Sequence, residues 1–169
     1  MLKNMDKVLT GDLLKILCDM GHGDELVIAD ANFPAETCAK RLVRMPGISG
    51  ERALQAILSV LPLDTYSTPA AVMDLTDSDK EKGMPEPYMW KVYQASIDAA
   101  EGRSLKIDKV ERFKFYERSK RAYAVVQTGE ERQYGDLILV KGVVPPDEKP
   151  PKKNSSHGIT RGAEYYRKQ

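Results

Sequence analysis

Histidine, cysteine and long apolar runs are what this sequence has least of. Its 169 residues include two histidines, His22 and His157, and two cysteines, Cys18 and Cys38. With His157 in a proline- and lysine-rich tail, one histidine and scattered carboxylates do not compose a zinc or iron ligand set, so no metal and no cofactor is expected. The cysteines fall in stretches of helical pattern without CxxC spacing, which argues against a disulfide framework and against dithiol redox chemistry. No stretch approaches the roughly 18 apolar residues of a membrane span, and the opening MLKNMDKVLTGD has no run of the signal-peptide kind. A soluble, cytoplasmic protein without a membrane partner is expected. Excess charge is missing too: 26 Lys+Arg face 25 Asp+Glu for a net +1, leaving no overall field to attract nucleic acid. GxSxG, GxxxxGK[ST] and a GxGxxG after a strand are all absent, so the usual machinery of acyl, phosphoryl and hydride transfer is not here.

What is present is an apolar content of 41%, enough for one core but not for two ordinary domains. Thr10 and Asp12 open a helix whose apolar face is Leu13, Leu14, Ile16 and Leu17, and Gly21 closes it. Leu26–Ala29 is an apolar run of the length of a strand buried on both faces. The alternation continues with a short helix over 34–40, a strand at 42–45, a helix over 49–60, a strand over 70–75 and a helix over 88–100. The intervening DLTDSDKEKGMPEP reads as a solvated loop. In the last third VERFKF alternates as a strand does, AYAVVQT and LILVKGV are strand-like, and FKFYERSKRAY admits either a short helix or continued strand. These elements predict the α/β class, in one domain over 1–144. Residues 145–169 hold four of the ten prolines and six basic against three acidic side chains, the composition of a disordered tail.

His22, set between Gly21 and Gly23 at a helix-to-strand junction, is sterically open and of a type that titrates near neutrality. On that feature alone an ordinary loop histidine is the stronger reading. Asp30 stands at the carboxyl end of a strand, where open α/β sheets bind ligands; the alternative is a helix cap or Asx turn before ANFP. Asp24 and Glu25 are read either as part of a site or as solvated or ion-paired groups.

The string MGHGDELVIADANFP at 20–34, followed in order by LPLDTY, PAAVMDLTDSDKEKG, ERFKFYER and YGDLILVKG, resembles the sugar mutarotase and pyranase family that includes fucose mutarotase and ribose pyranase. The likeness spans about residues 5–143. It implies a three-layer α/β/α, ribose-pyranase-like fold, a ring-like homodecamer with sites near subunit contacts, and cofactor-free interconversion of the α and β anomers of L-fucose. A pyranase acting on ribose or another monosaccharide, or a monosaccharide-binding protein without catalysis, are the alternatives. Carried over position by position, the resemblance makes His22 the acid/base residue and Asp30, Asp64, Met73, Arg112, Tyr116, Tyr134 and Asp136 sugar-binding. The family's YGN is YGD here. Asp136 thereby replaces a side chain that can donate with one that, when ionised, only accepts.

Overall fold

The computed structural model describes residues 2–146. The tail reading, from residue 147 onward, and His157 lie outside the described residues. Helix α1 (Gly11–Asp19) begins where the Thr10 hydroxyl accepts the Leu13 N–H, the cap expected from the sequence. Its last carbonyls, of Leu17 and Met20, accept from the Lys141 ammonium, which suits the negative end of the helix dipole. Then follow β1 (Glu25–Ala29), α2 (Ala35–Cys38), β2 (Leu42–Met45), α3 (Gly50–Leu58), β3 (Ala70–Met73), α4 (Asp77–Glu81), α5 (Tyr88–Glu101), β4 (Ile107–Val110), α6 (Arg112–Arg121), β5 (Ala124–Thr128) and β6 (Leu137–Val140).

The strands form one sheet in the order β2-β5-β1-β6-β3-β4. All run parallel except β6, which pairs antiparallel with β1 on one side and β3 on the other. Strand parity divides the core. Leu26 and Ile28 of β1 point into a large apolar cluster with Leu13, Leu54, Ile57, Tyr93 and Ile97 from α1, α3 and α5. Val27 and Ala29 point the other way, into a smaller cluster with Phe33, Cys38 and Phe115 from the α2 and α6 side. A period-2 strand that is buried on both faces needs a helical layer on each. The fold is therefore the expected three-layer α/β/α arrangement. Each fully buried Leu, Ile or Phe in these layers contributes about 1.5–3 kcal/mol of transfer free energy.

Two segments differ from expectation. VERFKF is not a strand: β4 ends at Val110 and α6 starts at Arg112, because the Glu111 carboxylate caps the N–H groups of Phe113 and Lys114. Phe113 and Phe115 alternate by accident of helix geometry, Phe113 being exposed and Phe115 buried. The charged segment after β3 is not all loop either. Thr76 accepts from Asp79 N–H and starts the short helix α4, none of whose residues is buried.

Candidate active site

Parallel strands deliver their carboxyl ends to one edge of the sheet, and a cleft of about 420 Å³ opens there, within the usual range for small-molecule sites. Six residues expected from the resemblance line it: Asp30, Met73, Arg112, Tyr116, Tyr134 and Asp136. Asp30 follows β1, Met73 ends β3, Arg112 and Tyr116 share a face of α6, and Tyr134 and Asp136 precede the antiparallel β6. Asn32, Phe33, Asp79 and Gln133 complete the lining and were not singled out from the sequence. Asn32 and Phe33 sit inside the recognisable string at 20–34, so the signal was present there; Asp79 lay in the segment read as solvated.

The cleft floor is built from main chain as much as side chain. Asp30 Oδ1 accepts the Asn32 N–H at 2.9 Å, so the Asx-turn alternative is true and coexists with the site. Asp30's own N–H donates to Asp136 Oδ1 at 3.0 Å. Asp136 is 4% exposed, and burial first, then the Asp30 charge, pushes its carboxyl well above the ordinary range. Burial raises Asp30 as well, opposed by backbone N–H groups. Tyr134 has a left-handed backbone, φ 59°, a strained conformation for a bulky residue and of the kind found at functional sites. Its hydroxyl donates to the Asp79 carboxylate and accepts the Thr76 N–H, tying the cleft wall to α4. Next to it Gly135 is fixed by close approach: a Cβ there would meet Glu130 Cγ at 2.9 Å and Asp30 Cβ at 3.3 Å. The Arg112 Nε is buried without a partner, a donor whose desolvation is uncompensated until something with an acceptor oxygen enters the cleft. Burial raises the Tyr116 hydroxyl pKa, and its ring meets Phe33 edge-on at 5.6 Å.

His22 and Asp64 are elsewhere. His22 lies before β1 and Asp30 after it, so the strand, about 15 Å long at ~3.3 Å per residue, stands between them. The His22 loop is pinned by Gly23 N–H to the Lys141 carbonyl at 2.9 Å and by Gly21 N–H to Asp24 Oδ2 at 2.7 Å, with Gly23 at φ 82°. Asp24 is thus a loop brace, and Glu25 pairs with Arg118 at 2.8 Å, away from the cleft. His22 Nε2 contacts Asp64 Oδ1 at 3.1 Å, while Ser67 Oγ donates to Asp64 Oδ2 at 2.5 Å. Asp64 is 4% exposed, yet its pKa falls to about 2, chiefly through the Ser67 hydrogen bond, with His22 and the Tyr66 and Thr65 N–H groups adding to it. An ionised carboxylate only accepts, so in this contact Nε2 carries the hydrogen. Tyr66, 79% exposed, meets the imidazole edge-on at 5.5 Å. Within one protomer, then, six of the eight residues named from the resemblance share the cleft, and His22 with Asp64 form a second group at the opposite end of β1.

No cluster of three or more His, Cys, Asp or Glu able to hold a metal occurs among the described residues, and no described helix is long and apolar enough to cross a membrane.

The chain is 50% identical over 150 residues to the fucose mutarotase of Danio rerio, covering 87% of this chain and 97% of that protein. It is 48% identical to the fucose mutarotase of Homo sapiens, covering 85% and 94%. Among solved structures, the fucose mutarotase from Streptococcus pneumoniae in complex with L-fucose superposes with a TM-score of 0.79 at 43% identity, over 85% of this chain and 100% of that one. Bacillus subtilis RbsD complexed with D-ribose, at 24% identity and TM-score 0.59, shares the fold. The sequence profile of the RbsD / FucU transport protein family matches residues 3–144, and the chain belongs to that family.

Proposed function

We infer that the chain is a fucose mutarotase, an isomerase that interconverts the α and β anomers of L-fucose by opening and reclosing the pyranose ring. The observation that carries this reading is a polar cleft on the carboxyl edge of the sheet in a chain half identical to fucose mutarotases. The chemistry asks little. A proton must reach the ring oxygen and another must leave the anomeric hydroxyl, giving an open-chain aldehyde that rotates and recloses; no carbon–hydrogen bond breaks. One positioned acid/base pair contributes about 10²–10⁴-fold to such a step.

In this reading Asp30, Arg112, Tyr116, Tyr134 and Asp136 hold the sugar, Met73 supplies an apolar wall, and His22 moves the proton through Nδ1. Because the length of β1 separates His22 from its own cleft, the acting His22 comes from a neighbouring copy in a homo-oligomer, the decamer that the family resemblance implies. Half-exposed His22 beside strongly exposed Tyr66 is a surface suited to that docking. With both cysteines unpaired, the enzyme is suited to a reducing, cytoplasmic setting.

NMR magnetisation transfer between the anomers of L-fucose tests activity and site together. Exchange should rise with enzyme concentration and persist in EDTA. His22→Ala and Asp30→Asn should each be inactive as pure proteins. Refolded as a 1:1 mixture, they should regain up to about a quarter of the wild-type sites, since heterologous contacts pair one intact residue from each copy. A mixture as inactive as its parents would return His22 and Asp30 to a single protomer.

A further inference from the structure

Asp136 is nearly as buried as Glu130, at 4% and 3% exposure, but the two are treated oppositely by their surroundings. Glu130 accepts from Arg132 Nε at 2.6 Å and from its second guanidinium nitrogen at 2.8 Å, from the Arg132 N–H at 3.1 Å, and from the Gly50 N–H at 3.3 Å. That cation and four donors stabilise a buried carboxylate. Asp136 accepts one hydrogen bond, from the Asp30 N–H, and among the described residues no Lys, Arg or His forms an ion pair with it.

The groups around it are two carboxyls, two neutral hydroxyls and one guanidinium that makes no ion pair with it among the described residues. From the end of β1 comes the Asp30 carboxyl; from beyond β5, Glu130, whose charge Arg132 already answers; from α5, the Tyr93 hydroxyl; and from α6, Tyr116 and Arg112, which share its cleft. Tyr134 shares the cleft too, but its hydroxyl is committed to Asp79 of α4. Asp30 is supported by the N–H groups of Asn32, Gly135 and Phe33. Of the two neighbouring carboxyls Asp30 is therefore the better anion, and a single proton belongs on Asp136.

We propose that Asp136 works as a neutral carboxylic acid whose O–H donates to a sugar hydroxyl oxygen, with the Asp30 carboxylate beside it accepting that sugar's hydroxyl hydrogen. This rests on the fucose mutarotase reading and makes Asp136 a specificity-determining residue. A neutral acid supplies at this position the donor that the family's amide would supply, at similar size, but a donor that can be lost. As pH rises through the pair's titration, Asp136 becomes an anion, the donated bond disappears and a second carboxylate faces the sugar. KM for L-fucose should then climb on the order of tenfold, the effect of losing one hydrogen bond in a buried site and leaving its partner unsatisfied. Asp136→Asn cannot titrate, so its KM should stay flat as pH rises.

Carboxyl ¹³C NMR of the full-length enzyme labelled at aspartate decides the protonation state without any sugar. The Asp136 signal, assigned by its loss in Asp136→Asn or Asp136→Ala, should remain that of a protonated acid at pH 7. A titration complete below pH 5 overturns the proposal whether or not the enzyme turns over fucose. A protonated Asp136 combined with an Asp136→Asn enzyme whose KM still climbs with pH overturns the donor role, and the mutarotase reading is judged separately by exchange in the wild type.

Discussion

An imidazole can serve a substrate only if one nitrogen is committed and the other free, and His22 meets that condition through Asp64. The carboxylate is buried, ionised and gripped by Ser67 and the backbone, so it acts as a fixed acceptor that sets the tautomer and the ring plane. In the proposed function its effect on sugar passes through the histidine. His22→Ala should therefore lose about 10²–10⁴-fold in exchange rate, with little change in Tm because the ring is half exposed. Asp64→Asn, whose amide can present a donor to Nε2, should lose an intermediate share, seen in kcat and not in KM. A variant that instead raises KM at constant kcat would place Asp64 against the sugar, as the family resemblance alone implied. The same comparison separates what a sequence can say from what it cannot. GHGDE marks His22 as unusual by its flanking glycines, but nothing in the string tells which carboxylate, 42 residues on, will stand beside it.

At the scale of elements, those with an unambiguous period were readable. The apolar face of α3 and the run of β1 came within one or two residues of the expected limits. In α6 the pattern misled: RFKFYERSKR buries only Phe115 and Ser119, too few apolar positions to display a helical period. The start is fixed instead by the Glu111 cap, which a count of hydrophobics does not weigh. The burial of Asp136 was likewise unreadable, since it follows from where two distant turns meet. That meeting depends on α3 and α5. The Tyr93 hydroxyl donates to the Gly135 carbonyl at 2.7 Å, and a Cβ on Gly50 would lie 2.3 Å from that hydroxyl. Gly→Ala ordinarily favours a helix by up to about 1 kcal/mol. At Gly50 the sign should reverse, with a loss of about 1–3 kcal/mol from overpacking and a rise in KM as the turn carrying Tyr134 and Asp136 shifts. Thermal unfolding and exchange kinetics on Gly50→Ala read both effects, and a more stable variant with unchanged KM would break this link from helix to cleft.

For the molecule as a whole, the lone antiparallel strand governs the order in which the protein can be made. β6 is the last strand among the described residues and lies mid-sheet, between β1 and β3. Until Leu137–Val140 leave the ribosome, the sheet can exist only as two ribbons, β2-β5-β1 and β3-β4, each with a bare apolar edge facing where the other belongs. Such edges recruit other chains. The nascent protein must therefore stay unassembled, or shielded, through most of its synthesis, and then zip up in one late event. A chain stopped at residue 135 should accumulate as aggregate or bound to chaperones, and one stopped at 144 should be recovered soluble; ribosome-stalled chains of the two lengths, probed by proteolysis, would show the change. A soluble, protease-resistant product at 135 would mean that the two ribbons are stable apart. The strand that sets Asp136 in the cleft is thus also the clasp of the sheet, and damage to it should be felt first as lost yield rather than as slow turnover.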